Sequence, residues 1–198
     1  DTGNTEDITD MIVDLLMNEE GRYITKVVTV EDLEPEDWKS HDYYLLGIPT
    51  WYDGELQSDW EEYFDEFKTI DFTGKTVALY GLGDQYTYAT WFCDGIGILA
   101  KVIMENGGKV IGYTEKDSSY DFETIPKALA DDNTFYGLCI DQDNQEELTE
   151  DRVTNWVKKV KKELESWLII LIFIDKGSNM ADTNRYVVKI EAYVYGKD

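Results

Sequence analysis

Apolar residues recur at helical spacing near the start of the chain. Ile8, Met11, Ile12, Leu15 and Leu16 share one face of residues 5–18 and predict an amphipathic helix. Short segments rich in β-branched and aromatic residues follow at 24–30, 43–48, 76–81, 109–113 and 135–140, and each predicts a strand. Between them the helical period returns over 57–68, 88–106 and 149–167. Gly107-Gly108 closes the second of these helices, and Thr149 with acidic residues in the next turn opens the third. Strands alternating with helices predict an α/β fold, a parallel sheet covered on both faces.

Two stretches interrupt this rhythm. Residues 114–134 turn polar and acidic, as though a loop had been inserted into the last strand, and a loop of that length in a compact domain usually serves function. Residues 167–174 form a continuous apolar run directly after the last predicted helix, a pattern that suits a strand buried on both faces. Beyond it, Lys176-Gly177-Ser178-Asn179 has the character of a linker, and 186–198 mixes apolar with charged positions as a half-exposed strand would.

Charge changes the picture most. The 198 residues carry 18 Lys and Arg against 42 Asp and Glu, a formal charge of −24. That field repels phosphate backbones and anionic lipid, so nucleic acid and membrane surfaces are excluded as partners. Cys93 and Cys139 have neither disulfide-framework nor zinc spacing, which fits a reducing, cytoplasmic setting. The apolar run is far below the ~20 residues of a membrane span, and no signal peptide or anchor is expected. His41, the single histidine, lies in a polar run and reads as a surface residue, which argues against Ser-His-Asp chemistry.

The first candidate site is Thr2-Gly3-Asn4-Thr5 at the start of the first helix. Hydroxyls, unpaired backbone N–H groups and the positive end of a helix dipole there suit a phosphate, although an ordinary N-cap uses the same residue types. Three more segments stand out in order: Gly47-Ile48-Pro49-Thr50-Trp51-Tyr52-Asp53-Gly54, then Gly81-Leu82-Gly83-Asp84-Gln85-Tyr86-Thr87-Tyr88, then Asp141-Gln142-Asp143-Asn144-Gln145. Together the four resemble a flavodoxin of the long-chain type over residues 1 to about 165. The resemblance implies a flavodoxin-like, doubly wound, five-stranded parallel sheet and an FMN cofactor. Thr2, Gly3, Asn4 and Thr5, with Thr50 close by, would take the FMN phosphate. Trp51 and Tyr88 would sandwich the ring, with Tyr52, Asp53 and Gly54 completing the first wall, and Gly83, Asp84 and Gln85 would meet the pyrimidine edge, mostly through backbone groups. Aromatic faces and aimed amides suit a planar polar-edged ring.

The implied function is low-potential, one-electron transport between redox proteins without turnover of a substrate. The partners would be basic-faced proteins such as a ferredoxin/flavodoxin-NADP reductase or a photosystem, and the carrier would be a monomer. Acids at Asp53, Glu55, Asp59 and Asp84 would disfavour added negative charge on the ring. In the family a peptide near the middle of the first wall turns over to hydrogen-bond the reduced central ring, most easily with glycine or asparagine there; Tyr52-Asp53 departs from that pattern. A flavin-free scaffold domain and an FMN-dependent quinone reductase are the alternatives.

The order of segments also departs from the family, whose central strand precedes the phosphate loop. Two C-terminal segments can supply that strand in a circularly permuted order. Residues 187–196 match better, but they bring Glu191 into a buried strand. Residues 168–174 are wholly apolar and are preferred, which would set Asp175 near the phosphate loop. On that choice 1–175 is the FMN-binding domain and 176–198 a tail or extra strand with a linker at 176–180.

Overall fold

Buried side chains along residues 43–51 divide between two cores. Tyr44, Leu46 and Ile48 enter one and Leu45 the other, the two-residue period of a strand covered on both faces. Residues 76–82 repeat it, with Val77 and Leu79 on one side and Ala78, Tyr80 and Leu82 on the other. These facts come from a computed structural model, which describes residues 3–17, 23–122, 124–174 and 188–193.

In chain order the elements are α1 (Asn4–Met17), β1 (Tyr23–Val28), the short α2 (Asp37–Ser40), β2 (Tyr43–Trp51), β3 (Glu55–Leu56), α3 (Ser58–Phe67), β4 (Thr76–Leu82), α4 (Asp94–Glu105), β5 (Lys109–Ile111), β6 (Thr114–Glu115), β7 (Leu129–Asp131), β8 (Thr134–Phe135), β9 (Leu138–Ile140), α5 (Glu146–Ile174) and β10 (Val188–Tyr193). The main sheet runs β1-β10-β2-β4-β5 and these neighbours are parallel. Ile8, Ile12 and Leu16 of α1 pack with Val153, Trp156, Val157 and Val160 of α5 on one face. Trp60 and Phe67 of α3 and Ile96, Leu99 and Ile103 of α4 cover the other. The predicted doubly wound α/β sheet is the one observed.

Tyr80 crosses between α1 and the sheet. A Cβ on Gly47 would lie 2.4 Å from its ring, so glycine on β2 leaves the room that the tyrosine fills. Thr9 donates its only hydroxyl proton to the Thr5 carbonyl at 2.7 Å, so Tyr80 is the donor in its 2.7 Å bond to Thr9. Burial raises the Tyr80 phenol far above its ordinary pKa and keeps it a donor.

The fifth sheet position is shared. β5 pairs with β4 over Thr76–Ala78 and β9 pairs with it over Tyr80–Leu82, so residues 112–137 leave and re-enter a single strand position. The excursion is not a plain loop. It forms the antiparallel sheet β6-β8-β7, and Tyr120, Phe122 and Phe135 pack around Phe92 at ring separations of 5.9, 5.4 and 6.3 Å.

Three sequence expectations change. Residues 168–174, preferred as the central strand, continue α5 to Ile174, and Val188–Tyr193 takes the position between β1 and β2. Between Glu146 and Ile174 there is neither glycine nor proline, so helix propagation meets no stop and no residues are left for a turn into a strand. It follows that 188–193 is part of the main sheet and not a tail. His41 is buried rather than on the surface, with Nδ1 2.7 Å from the Ser40 hydroxyl and its carbonyl accepting from Tyr44 at 2.7 Å. Thr2, Asp175, the linker at 176–180 and the remainder of 176–198 apart from 188–193 lie outside the described residues.

Candidate functional site

At the carboxyl edge of the sheet the start of α1 and three strand ends surround a cleft of about 370 Å³. It is lined by Asn4 and Thr5 from α1, Pro49, Thr50, Trp51 and Tyr52 from the end of β2, Leu82, Gly83, Asp84, Tyr88 and Trp91 after β4, and Gln142 and Asp143 after β9. Ligands of doubly wound sheets bind at such strand-end crevices, and the volume is that of a small-molecule site.

The α1 wall is a helix N-terminus. Gly3 stands at φ +74°, and its carbonyl accepts the first helical bond from Asp7 N at 3.1 Å. The N–H groups that open a helix have no carbonyl one turn earlier, so this wall offers donors to an anion. Thr50 adds a hydroxyl whose oxygen accepts from Gly95 N at 3.1 Å, leaving its proton available to the cleft.

The Trp51 wall is a tight hairpin. Trp51 pairs with Glu55, and Gly54 N donates to the Trp51 carbonyl at 3.1 Å. Tyr52 adopts φ +41° and Gly54 φ +85°, both in the left-handed region. A Cβ on Gly54 would lie 2.6 Å from Trp91 Cδ1, so glycine lets the hairpin pack on the opposite wall. Tyr52 is 69% exposed and meets Trp51 edge-on at 6.2 Å.

Asp84 builds the Tyr88 wall. Its Oδ1 accepts from Tyr86 N at 2.9 Å, Thr87 N at 2.8 Å and Asn144 Nδ2 at 3.0 Å, while its carbonyl accepts from Tyr88 N at 3.1 Å. Partial burial opposes its ionisation, but the bonds from Thr87, Tyr86 and Asn144 outweigh it and hold the carboxyl below its ordinary range. Tyr88 is 41% exposed at the mouth. The last wall is tied to the first, since Asn4 Nδ2 donates to Asp143 Oδ1 at 3.5 Å.

Of the residues singled out in the sequence, Asn4, Thr5, Thr50, Trp51, Tyr52, Gly83, Asp84 and Tyr88 meet in the cleft. Gly3 sits at the foot of α1, Asp53 is exposed in the hairpin, and Gly54 is buried under Trp91. Gln85 is wholly buried, and its side chain leaves the cleft to accept from Asp121 N at 2.8 Å. Pro49, Leu82, Trp91, Gln142 and Asp143 line the cleft without having been assigned there. Trp91 follows Tyr88 by three residues in the same loop, the one signal that could have found it. Among the described residues no group of His, Cys, Asp and Glu could hold a metal ion, and no helix is long and apolar enough to cross a membrane.

Crowded aromatics, a helix N-terminus and backbone amides suit a planar ring carrying a phosphate. Comparisons with known proteins agree. The family model described as flavodoxin matches residues 1–156. Over 164 residues the chain is 47% identical to a flavodoxin of Klebsiella pneumoniae and 46% identical to flavodoxin 1 of Escherichia coli strain K12, each alignment covering 83% of this chain and 90% of the relative. Among solved structures it is similar to a Fusobacterium nucleatum flavodoxin bound to flavin mononucleotide, with a TM-score of 0.73, 33% identity and coverage of 82% of this chain and 92% of that one.

Proposed function

The chain belongs to the flavodoxin family, and from that premise we propose that it passes electrons singly, at low potential, between larger redox proteins. It is an FMN-based electron carrier and not an enzyme. The cleft fits the cofactor on its own terms: aromatic side chains flank it, and donors without intrahelical partners open at the α1 end. In this reading Thr2, Gly3, Asn4, Thr5 and Thr50 hold the phosphate, Trp51 and Tyr88 flank the ring, and Gly83 and Asp84 meet its polar edge.

FMN, when bound, supplies the electron-accepting chemistry. The protein's part is to fix the ring and set the charge around it. Asp84 and Asp143 line the cleft and Asp53 and Glu55 stand in the adjoining hairpin, so negative charge added there is opposed at short range. That opposition supports a low potential. The exposed Tyr52 and Tyr88 mark the mouth as the edge where a partner reaches the ring, and a charge of −24 favours partners with a basic face. The central place of Val188–Tyr193 supports reading the order of elements as a circular permutation of the family's order, with the split fifth strand as the long-chain insertion.

Bringing the four walls into one cleft is the observation that carries this reading. FMN titration with tryptophan fluorescence as the readout tests it: quenching that saturates near one FMN per chain is expected, and absence of quenching would overturn it.

A further inference from the structure

Gln85 belongs to the loop that walls the cleft, yet it is wholly buried and turned away from it. Its two ends are occupied differently. The backbone N–H donates to Asp141 Oδ2 at 3.1 Å, and the side-chain Oε1 accepts from Asp121 N at 2.8 Å. Asp141, also wholly buried, binds Asn144, which bonds Asp84. Gln85 therefore joins the cleft wall to the segment Ser119–Asp121 of the acidic insert, none of which lines the cleft.

That segment is gripped from the other side too. Gln145 Nε2 donates to the Ser119 carbonyl at 2.6 Å, Arg152 Nη2 donates to the Ser119 hydroxyl at 2.7 Å, and the Arg152 guanidinium stacks 4.3 Å above the Tyr120 ring. Tyr120 donates its hydroxyl proton to the Cys139 carbonyl at 2.8 Å, immediately before Ile140, whose carbonyl accepts from Gly83 N at 3.0 Å. Two routes, one through side chains and one through β9, thus lead from Ser119–Asp121 to Gly83–Tyr88. Of these bonds Gln85 N to Asp141 and Tyr120 to Cys139 are buried, and breaking a buried bond leaves an unsatisfied partner, so they hold position well.

We propose that Gln85 is a positioning residue for the cofactor, coupling Ser119–Asp121 of the insert to the Gly83–Tyr88 wall so that a segment outside the cleft sets how tightly FMN is held. This rests on the FMN reading of the cleft. Coupling is reciprocal: if the segment favours the bound state, binding must order the segment.

The test uses the full chain and FMN. Hydrogen exchange of the wild type with and without FMN is expected to show residues 117–122 better protected in the loaded protein; unchanged exchange there would overturn the coupling. Gln85→Met and Gln145→Met each remove one grip. Gln85 Nε2 and Gln145 Oε1 lack partners among the described residues, so each change removes an unsatisfied atom, while the Asp121 amide and Ser119 carbonyl it releases lie on an exposed and a half-buried residue within reach of water. Urea unfolding of each variant is read beside the titration to separate lost stability from lost binding. Each is expected to weaken FMN about tenfold and to alter the visible circular dichroism of the bound flavin, with the double variant less than additive. Asp121→Asn keeps the backbone donor and is expected to stay within about twofold of wild type. Both methionine variants binding like wild type, or Asp121→Asn weakening FMN as they do, would sink the proposal. A wild type that fails to bind FMN would instead sink the functional reading.

Discussion

Tyr52 holds a conformation that suits glycine, φ +41°, at the tip of the hairpin beside the cleft. An L side chain there costs on the order of 1 kcal/mol. Tyr52→Gly is expected to raise the stability of the apoprotein by up to about 1 kcal/mol in urea unfolding, since the exposed ring gives up little packing. Trp51 is the opposite case. Truncation to alanine should remove about 2–3 kcal/mol of ring burial and weaken FMN about a hundredfold in a fluorescence titration, with the unfolding midpoint of the apoprotein little changed. Asp84 gives a pH dependence whose sign is determined. Its carboxyl titrates below the ordinary value of 3.8 in the folded chain, so its stabilisation is full above that value and is lost as pH falls through the lower folded one. The gap in melting temperature between wild type and Asp84→Ala is therefore expected to hold from neutral pH to about 5 and to close below 4. At this scale Trp51, Tyr88 and Asp84, which the family resemblance singled out, all line one cleft, because the segments that carry them follow strand ends. The direction of the Gln85 side chain was not legible, because its partner, the Asp121 amide, lies 36 residues away.

Elements were legible where one periodicity admitted one structure. β2 and β4 appear within a few residues of their apolar segments, and the helical period of α1 buries Ile8, Ile12 and Leu16 as its spacing demands. The run at 167–174 was ambiguous because eight apolar residues satisfy a buried strand and a helix alike, and only the lack of a breaker after Glu146 separates them. The insert is the other case. Its polar composition suggested a loop, but its few aromatics share a core with Phe92, and the segment at Lys127–Ala128 packs on α4. Gly97 marks that contact: a Cβ there would lie 1.8 Å from the Lys127 carbonyl, a backbone atom that cannot turn aside. Gly97→Ala is expected to destabilise the protein by about 3 kcal/mol, through displacement of the insert from the helix, measured by urea unfolding.

Across the whole molecule, charge and sheet topology act together. The cleft opens at one edge of the sheet, and 42 acidic against 18 basic residues make the field around it negative. Association with a cationic redox protein is expected to slow by about tenfold or more between 0.01 and 0.3 M salt in stopped-flow mixing, as long-range steering is screened; a rate independent of salt would show that docking rests on apolar contact. By itself the sequence determined the alternation of strands and helices and the sign of the field, which follow from spacing and composition, and its motifs carried the family resemblance that pointed to residues lining the cleft. Tertiary structure alone decided which segment fills the centre of the sheet, because Leu168–Ile174 and Val188–Tyr193 compete for one position and pairing with β1 and β2 is a relation between distant parts of the chain. It decided likewise that Gln85 turns from the cleft toward the insert, since a buried amide goes where a backbone donor is left unpaired, and that place exists only once the chain has folded.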